Sequence, residues 1–308
     1  MLPTPGFHHL HLNSVDPDAA IGFLMRQFPT TSRGEWAGLP ALLSPNNCMI
    51  VFNTVAAPAP VLPQSAIWHF GWHVTDSRQS LAAFAARSEV RLQPLYTTEE
   101  GGFVHINSDT WPNVGGVLGL TRAQIAEARA ADARPVGGPG FVYFRGGPDD
   151  ALVEIAGDYP AERFNHVHMW HDDPFCALLW YQKHLNAPPR AAFGGTTLTE
   201  DTCRVGRGPD PSWPALKREG MYRSPRAGVE FGDVVLTWYA NQGEQPLVGS
   251  RGQFQDHIAL SVTDLDAWVA KLRSEGVTFL ESVYTVGDTR AVMIEGPSRE
   301  ALELVEVG

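Results

Sequence analysis

Four histidines recur at one fixed place in a repeated nine-residue pattern, and they are the first candidates for chemistry. The four copies are HHLHLNSVD (8–16), WHFGWHVTD (68–76), NHVHMWHDD (165–173) and DHIALSVTD (256–264). Their second residues are His9, His69, His166 and His257. A polar strand edge would explain one such histidine, but a histidine kept at the same place in every copy favours a shared structural or metal-binding role.

Two glutamates occupy matching places near the ends of two of the repeats. The segments GPDDALVEIAG (147–157) and GPSREALELVEVG (296–308) align so that Glu154 and Glu303 coincide. Apolar residues flank both glutamates, which argues against exposed carboxylates on an edge strand.

The repeat also predicts the elements that position these side chains. Each histidine segment alternates like a β-strand and ends in an aspartate that is a candidate helix N-cap. The predicted helices cover residues 17–28, 77–88, 174–186 and 264–276, and each is followed by strand-like runs. The chain therefore reads as four βαβββ modules of an α+β fold, divided into two domains at 1–155 and 160–308.

Three further histidines share a strand face with a candidate ligand. His11, His73 and His168 lie two or four residues from one, so they could bind substrate or orient a ligand. The alternative is that they are hydrogen-bonded polar residues lining a cavity. His184, near the end of a predicted helix, is expected to be solvated.

Composition narrows the class of protein. The 308 residues carry a net charge of −11 without a long basic block, which disfavours nucleic-acid binding. No apolar run is long enough to span a membrane, and the N-terminus lacks a basic-then-apolar leader. The three cysteines, Cys48, Cys176 and Cys203, are scattered, which favours reduced thiols in a cytoplasmic protein.

These motifs resemble the vicinal oxygen chelate superfamily, which includes glyoxalase I, fosfomycin and bleomycin resistance proteins, and type I extradiol dioxygenases. The resemblance covers nearly the whole chain and implies that paired modules form two cup-shaped mixed-sheet domains. It implies a divalent metal held by two first-strand histidines and one last-strand glutamate. Six residues match those positions, namely His9, His69, Glu154, His166, His257 and Glu303.

The resemblance leaves two groupings of these ligands open. If neighbouring modules pair, the sets are His9, His69 and Glu154, and His166, His257 and Glu303. If the first module meets the last, as in the hydroquinone dioxygenases, the sets are His9, His257 and Glu303, and His69, His166 and Glu154. Family habit favours metal at the set that contains His257 and Glu303.

The activity implied first is Fe(II)-dependent cleavage of a catechol- or hydroquinone-like ring. The rivals are a Zn²⁺ or Ni²⁺ glyoxalase-type isomerase or lyase, for which Mn²⁺ is also possible, and a metal-free binding protein. The expected partners are a small oxygen-bearing substrate, possibly aromatic, and a second copy of the chain in a homo-oligomer.

Two departures from the extradiol pattern concern acid–base groups. Phe144 stands where those enzymes have a tyrosine, and the neighbouring Tyr143 should face the other way. His105 is the candidate for their acid–base histidine, with His11, His168 and Tyr143 as further catalytic candidates.

Two insertions interrupt the repeat, at 112–140 and 206–228. The second is rich in Pro, Gly and Arg, which suggests either a contact for an anionic substrate or an oligomer interface.

Overall fold

A computed structural model describes residues 2–92, 141–157, 159–190, 199–204, 226–241 and 246–308. Both insertions fall largely outside these residues. Within them, no helix has the length and apolar character needed to cross a membrane.

The four predicted helices are present and end one to three residues earlier than expected. They are α1 (Pro17–Gln27), α2 (Ser77–Ala85), α3 (Pro174–Leu185) and α4 (Leu265–Ser274). The aspartates that end three of the histidine segments are N-caps, because Asp16, Asp76 and Asp264 each accept a backbone N–H three residues on.

The strands complete the modules predicted from the repeat. In the first two modules they are β1 (Gly6–Ser14), β2 (Ser32–Trp36), β3 (Leu39–Leu43), β4 (Met49–Thr54), β5 (Ile67–His73), β6 (Val90–Leu92), β7 (Phe141–Gly146) and β8 (Ala151–Ala156). In the last two they are β9 (Arg163–His171), β10 (Arg226–Phe231), β11 (Val234–Ala240), β12 (Gln255–Val262), β13 (Phe279–Val286), β14 (Thr289–Glu295) and β15 (Ala301–Glu306). The described part of the third module has two strands after its helix, and the other modules have three.

The strands form two mixed sheets, which confirms the predicted α+β fold. The eight-stranded sheet has the order β13-β14-β15-β12-β1-β4-β3-β2, and the seven-stranded sheet has the order β10-β11-β9-β5-β8-β7-β6. In each sheet an antiparallel pair of first strands, β1 with β12 or β5 with β9, joins two modules. The first module therefore meets the last, and the sheets do not follow the division of the chain near residues 155–160.

Strand alternation separates the hydrophobic core from the histidines. Leu10 and Leu12 of β1, and Phe70 and Trp72 of β5, belong to one buried apolar cluster that also includes residues from all four helices. The ring of Phe28 stacks on Trp72 with centroids 4.0 Å apart, which ties the end of α1 to β5 of the other sheet. The candidate ligands alternate with these core residues, so they lie on the sheet faces turned away from the core.

The prediction that all three cysteines are reduced is wrong. Cys176 and Cys203 form a disulfide, and only Cys48 is a free, buried thiol. The paired cysteines are 27 positions apart in the sequence, which hid their proximity, because the chain leaves α3 and returns to its start. Burial raises the pKa of the Cys48 thiol to about 12, so it is unreactive at neutral pH.

A buried carboxyl makes stability depend on pH. Glu300 accepts hydrogen bonds from the Tyr181 hydroxyl at 2.8 Å and from the Ser298 N–H at 2.7 Å. Burial raises the pKa of Glu300 to about 7. The folded protein therefore holds a proton that the unfolded chain releases above its ordinary pKa, and stability is lost as pH rises through this range.

We expect Glu300→Gln to remove this loss of stability at higher pH. The free energy of unfolding of the variant, relative to wild type, should rise by up to about 3 kcal/mol between pH 4.5 and pH 7.5. Urea unfolding of both proteins at the two pH values measures it. An equal difference at both values would contradict the assignment.

Candidate metal centres

The two sheets each gather three histidines and one glutamate into a buried cluster. The β1/β12 cluster consists of His9, His11, His257 and Glu303, and the β5/β9 cluster consists of His69, Glu154, His166 and His168. The two clusters correspond module by module, since each combines a His-x-His pair from one first strand with a His and a Glu from the partner module.

In the β1/β12 cluster, three buried donor atoms converge without hydrogen bonds. The Nε2 atoms of His9 and His257 each lie 3.6 Å from Oε2 of Glu303. All three atoms are shielded from solvent and have no hydrogen-bond partner among the residues that the structure describes. Unpaired buried polar atoms are costly, and these separations are less than twice a usual metal–nitrogen bond of about 2.1 Å. The donor set therefore fits a divalent metal ion placed between them.

Asp256 fixes the orientation of His257. The Nδ1–H of His257 donates to Oδ1 of Asp256 at 2.7 Å, which leaves Nε2 as the lone-pair nitrogen. Oδ2 of Asp256 accepts from the Gly252 N–H at 2.6 Å and from Asn13 at 3.2 Å, and Arg251 pairs with the same carboxylate. A carboxylate behind a histidine in this way sets the tautomer and raises the basicity of a metal ligand.

Burial and neighbouring groups set the ionisation states of Glu303 and His9 in the β1/β12 cluster. Burial opposes ionisation of Glu303, but the neighbouring His257 and the Tyr284 hydroxyl, which donates to Oε1, keep its pKa below the ordinary value. Burial, then the nearby His257, lowers the pKa of His9 well below its usual value. A neutral imidazole and an ionised carboxylate are the forms that bind a metal.

His11 also brings a donor atom to this cluster, within 4.8 Å of those of His9 and His257, but among the described residues it makes no ion-pair contact with Glu303. Its ring stacks on His257 with centroids 4.4 Å apart and an angle of 22°. Its Nδ1 atom is buried and has no hydrogen-bond partner in the described part of the chain. Burial, with a smaller effect of His257, lowers the pKa of His11 to about 3. His11 is therefore neutral near pH 7 and presents an acceptor next to the cluster.

Aromatic and apolar side chains extend along the sheet from the β1/β12 cluster. The Trp36 ring lies 4.6 Å from the His9 ring. Trp36, Tyr284 and Val286 are half-buried and pack against a small apolar cluster that includes Ala259. This surface suits a flat, apolar ring system.

The β5/β9 cluster is more compact. Oε2 of Glu154 lies 2.8 Å from His69 Nε2, 3.2 Å from His168 Nδ1 and 3.5 Å from His166 Nε2. His168 Nδ1 is also 3.0 Å from His69 Nε2. Burial opposes ionisation of Glu154, but His168 and His166 hold its pKa well below the usual value, and burial lowers that of His168.

Gly71 makes room for one histidine of the β5/β9 cluster. It pairs with His166 across β5 and β9, and a Cβ atom at Gly71 would lie 2.4 Å from His166 Nε2. The matching place in the other sheet is Ala259, opposite His9. The two clusters therefore differ at the residue beneath the His-x-His pair.

Tyr143 and Phe144 face opposite sides of β7, but it is Tyr143 that lies beside the ligand cluster. Tyr143 pairs with Glu154, and its ring is 5.0 Å from that of His69. Phe144 packs in the hydrophobic core. The expectation that the tyrosine would point away from the site is wrong, because the closing strand places Phe144 on the core face.

Other predicted residues have different surroundings. His73 stacks on Tyr159 with centroids 3.4 Å apart, and His105 lies outside the described residues. The prediction that His184 is solvated is wrong, since it is buried and contacts Glu275 at 2.8 Å.

Asp256 and Tyr284 were missed by sequence reasoning, although the position of Asp256 directly before a repeat histidine was a signal.

Part of the sequence matches a known family model, and the whole fold superposes on solved structures. Residues 163–304 match the family model of the Glyoxalase/Bleomycin resistance protein/Dioxygenase superfamily. Glyoxalase I from Zea mays superposes with a TM-score of 0.61 at 12% identity, over 98% of this chain and 92% of that chain. A Bacillus subtilis protein proposed to be a dioxygenase superposes with a TM-score of 0.58 at 13% identity, over 99% and 86% of the two chains. No protein of curated function matches the sequence.

Proposed function

We propose that the protein is a metal-dependent enzyme, because residues 163–304 match the family model of the Glyoxalase/Bleomycin resistance protein/Dioxygenase superfamily and the whole chain has the fold of glyoxalase I from Zea mays. Its reaction is oxidative ring cleavage of a catechol- or hydroquinone-like substrate at an Fe(II) ion. The observation that carries the proposal is the convergence of His9 Nε2, His257 Nε2 and Glu303 Oε2, which are all buried and have no hydrogen bond to any described residue.

The donor set favours iron over the metals of a glyoxalase-type site. Two imidazoles and one carboxylate form the facial set typical of Fe(II) enzymes that bind substrate and O₂ together. When bound, Fe(II) supplies a Lewis acid for adjacent substrate oxygens and the electrons that activate O₂.

The surrounding residues have separate tasks in this proposal. Asp256 keeps the His257 lone pair directed at the metal, and Tyr284 holds one oxygen of Glu303. The unpaired Nδ1 of His11 accepts a hydrogen bond from a substrate hydroxyl, which places that oxygen beside the converging donors. Trp36 and Val286 provide an apolar wall for the ring and exclude water.

The proposal is tested by metal content and oxygen consumption. Protein purified without chelator, or loaded with Fe(II) under argon, should consume O₂ on addition of a member of a catechol and hydroquinone panel. His9→Ala should bind less iron at this cluster and lose O₂ uptake. Zinc or nickel with isomerase or lyase activity and no O₂ uptake would favour a glyoxalase-type enzyme instead. A metal-free protein whose ligand binding is unchanged in His9→Ala and His257→Ala would favour a binding protein.

The oligomeric state and the cellular location of the protein are two further questions for experiment. A homo-oligomer remains our prediction, and size-exclusion chromatography with light scattering tests it. The Cys176–Cys203 disulfide weighs against the predicted cytoplasmic location, because disulfides persist mainly in oxidising compartments.

A further inference from the structure

The β5/β9 cluster differs from the β1/β12 cluster in the number of side chains that reach one point. One donor atom from each of its four residues, His69, Glu154, His166 and His168, lies within 4.8 Å of the other three. The separations measured from Glu154 Oε2 are 2.8–3.5 Å. Ligands at about 2.05 Å from a tetrahedral zinc ion are about 3.4 Å apart, so a small adjustment would accommodate one.

The fourth donor distinguishes the clusters. His168 and His11 hold corresponding places two residues after a repeat histidine. His168 turns its Nδ1 to 3.2 Å from Glu154, whereas His11 lies flat on His257 and, among the described residues, makes no ion-pair contact with Glu303. Three ligands leave a coordination position for substrate, but four protein ligands close a zinc site.

The surroundings of the β5/β9 cluster also close it. The rings of Trp68, Tyr143 and Tyr239 lie edge-on to His69 or His168 at centroid distances of 4.4–5.1 Å. Trp170 stacks on Trp68 at 4.0 Å. The Nε2 atom of His166 is buried and has no hydrogen-bond partner within the described ranges, although it lies 3.5 Å from Glu154.

We propose that the β5/β9 cluster is a closed structural zinc site ligated by His69, Glu154, His166 and His168. It joins the second and third modules at the centre of the seven-stranded sheet, where β5 pairs with β9. The ion stabilises the folded chain, because the ligands come from three strands and do not converge when it is unfolded. This site is independent of the reaction at the β1/β12 cluster.

Native mass spectrometry and elemental analysis of the wild-type protein, expressed with iron and zinc and purified without chelator, provide the first test. We expect two ions per chain, one of them zinc. His168→Phe should lose about one zinc per chain and keep the iron. Its Tm should fall by about 5–10 °C, because a ligand bound only to the folded state stabilises it.

His11→Phe is the matched control, since it makes the same change at the corresponding place in the other sheet. It should keep the zinc and the Tm of the wild-type protein in zinc-containing buffer. If His168→Phe does not fold, the wild-type ion count decides the question alone. A wild-type protein with iron but no zinc, or a His168→Phe protein that retains its zinc, would overturn the structural site and leave the proposed function standing. Zinc without iron or O₂ uptake would instead overturn the proposed function.

Discussion

Replacing Glu303 with alanine is expected to empty the β1/β12 cluster of metal and abolish turnover. Glu303 is the only anionic donor among the three converging atoms, and its Oε2 lies 3.6 Å from both imidazole nitrogens. Losing a charged ligand should weaken metal binding by several kcal/mol, roughly a thousandfold in affinity. Iron content after desalting and O₂ uptake on the catechol and hydroquinone panel measure the effect.

Glu154→Ala is the matched variant, because Glu154 holds the corresponding place in the other sheet. It should keep the iron and at least part of the turnover while losing the zinc proposed for the β5/β9 cluster. If Glu154→Ala alone abolishes iron binding and turnover while Glu303→Ala is harmless, the reaction belongs to the β5/β9 cluster instead.

Asp256→Asn is expected to weaken iron binding at the β1/β12 cluster by about 10- to 100-fold. Among the described residues, every hydrogen-bond partner of the Asp256 carboxylate is a donor, since His257 and Arg251 meet Oδ1 while Gly252 and Asn13 meet Oδ2. An amide must therefore turn an N–H towards another donor in either orientation. His257 then loses the acceptor that fixes its tautomer, and its Nε2 no longer stays free for metal.

Competitive titration of the apoprotein with Fe(II) under argon measures this change. Asp288→Asn is the control, because this substitution removes the same charge from the same sheet. Asp288 is exposed in the turn between β13 and β14. It should bind iron as the wild type does. Equal affinities for Asp256→Asn and wild type would show that His257 does not depend on its carboxylate partner.

The internal repeat was sufficient to predict the modules and the residues worth testing. Alternation along each strand placed His9 and His11 on one face and Leu10 and Leu12 on the other, and the structure has this arrangement. The capping aspartates fixed where the helices begin. These features are local, since they depend on side chains within about one strand or one helical turn of each other.

The pairing of modules could not be read from the sequence. Both groupings of the six candidate ligands gave two complete sets, and every module offers a first strand of the same kind. Only the sheet order, with β1 beside β12 and β5 beside β9, brings His9 to His257 and His69 to His166. Pairing between strands far apart in the chain depends on how whole surfaces pack, which local patterns do not encode.

The difference between the two clusters also required the tertiary structure. Both clusters have a His-x-His pair, a third histidine and a glutamate in the sequence, but His168 reaches Glu154 while His11 stacks on His257. The carboxylate of Asp256 stands behind one set, and the ring of Trp68 packs against the other. By itself, the sequence determined which side chains share a face, because strand alternation is local. Which of them meet at one point was decided by the tertiary structure, because donor separations depend on the packing of strands from distant parts of the chain.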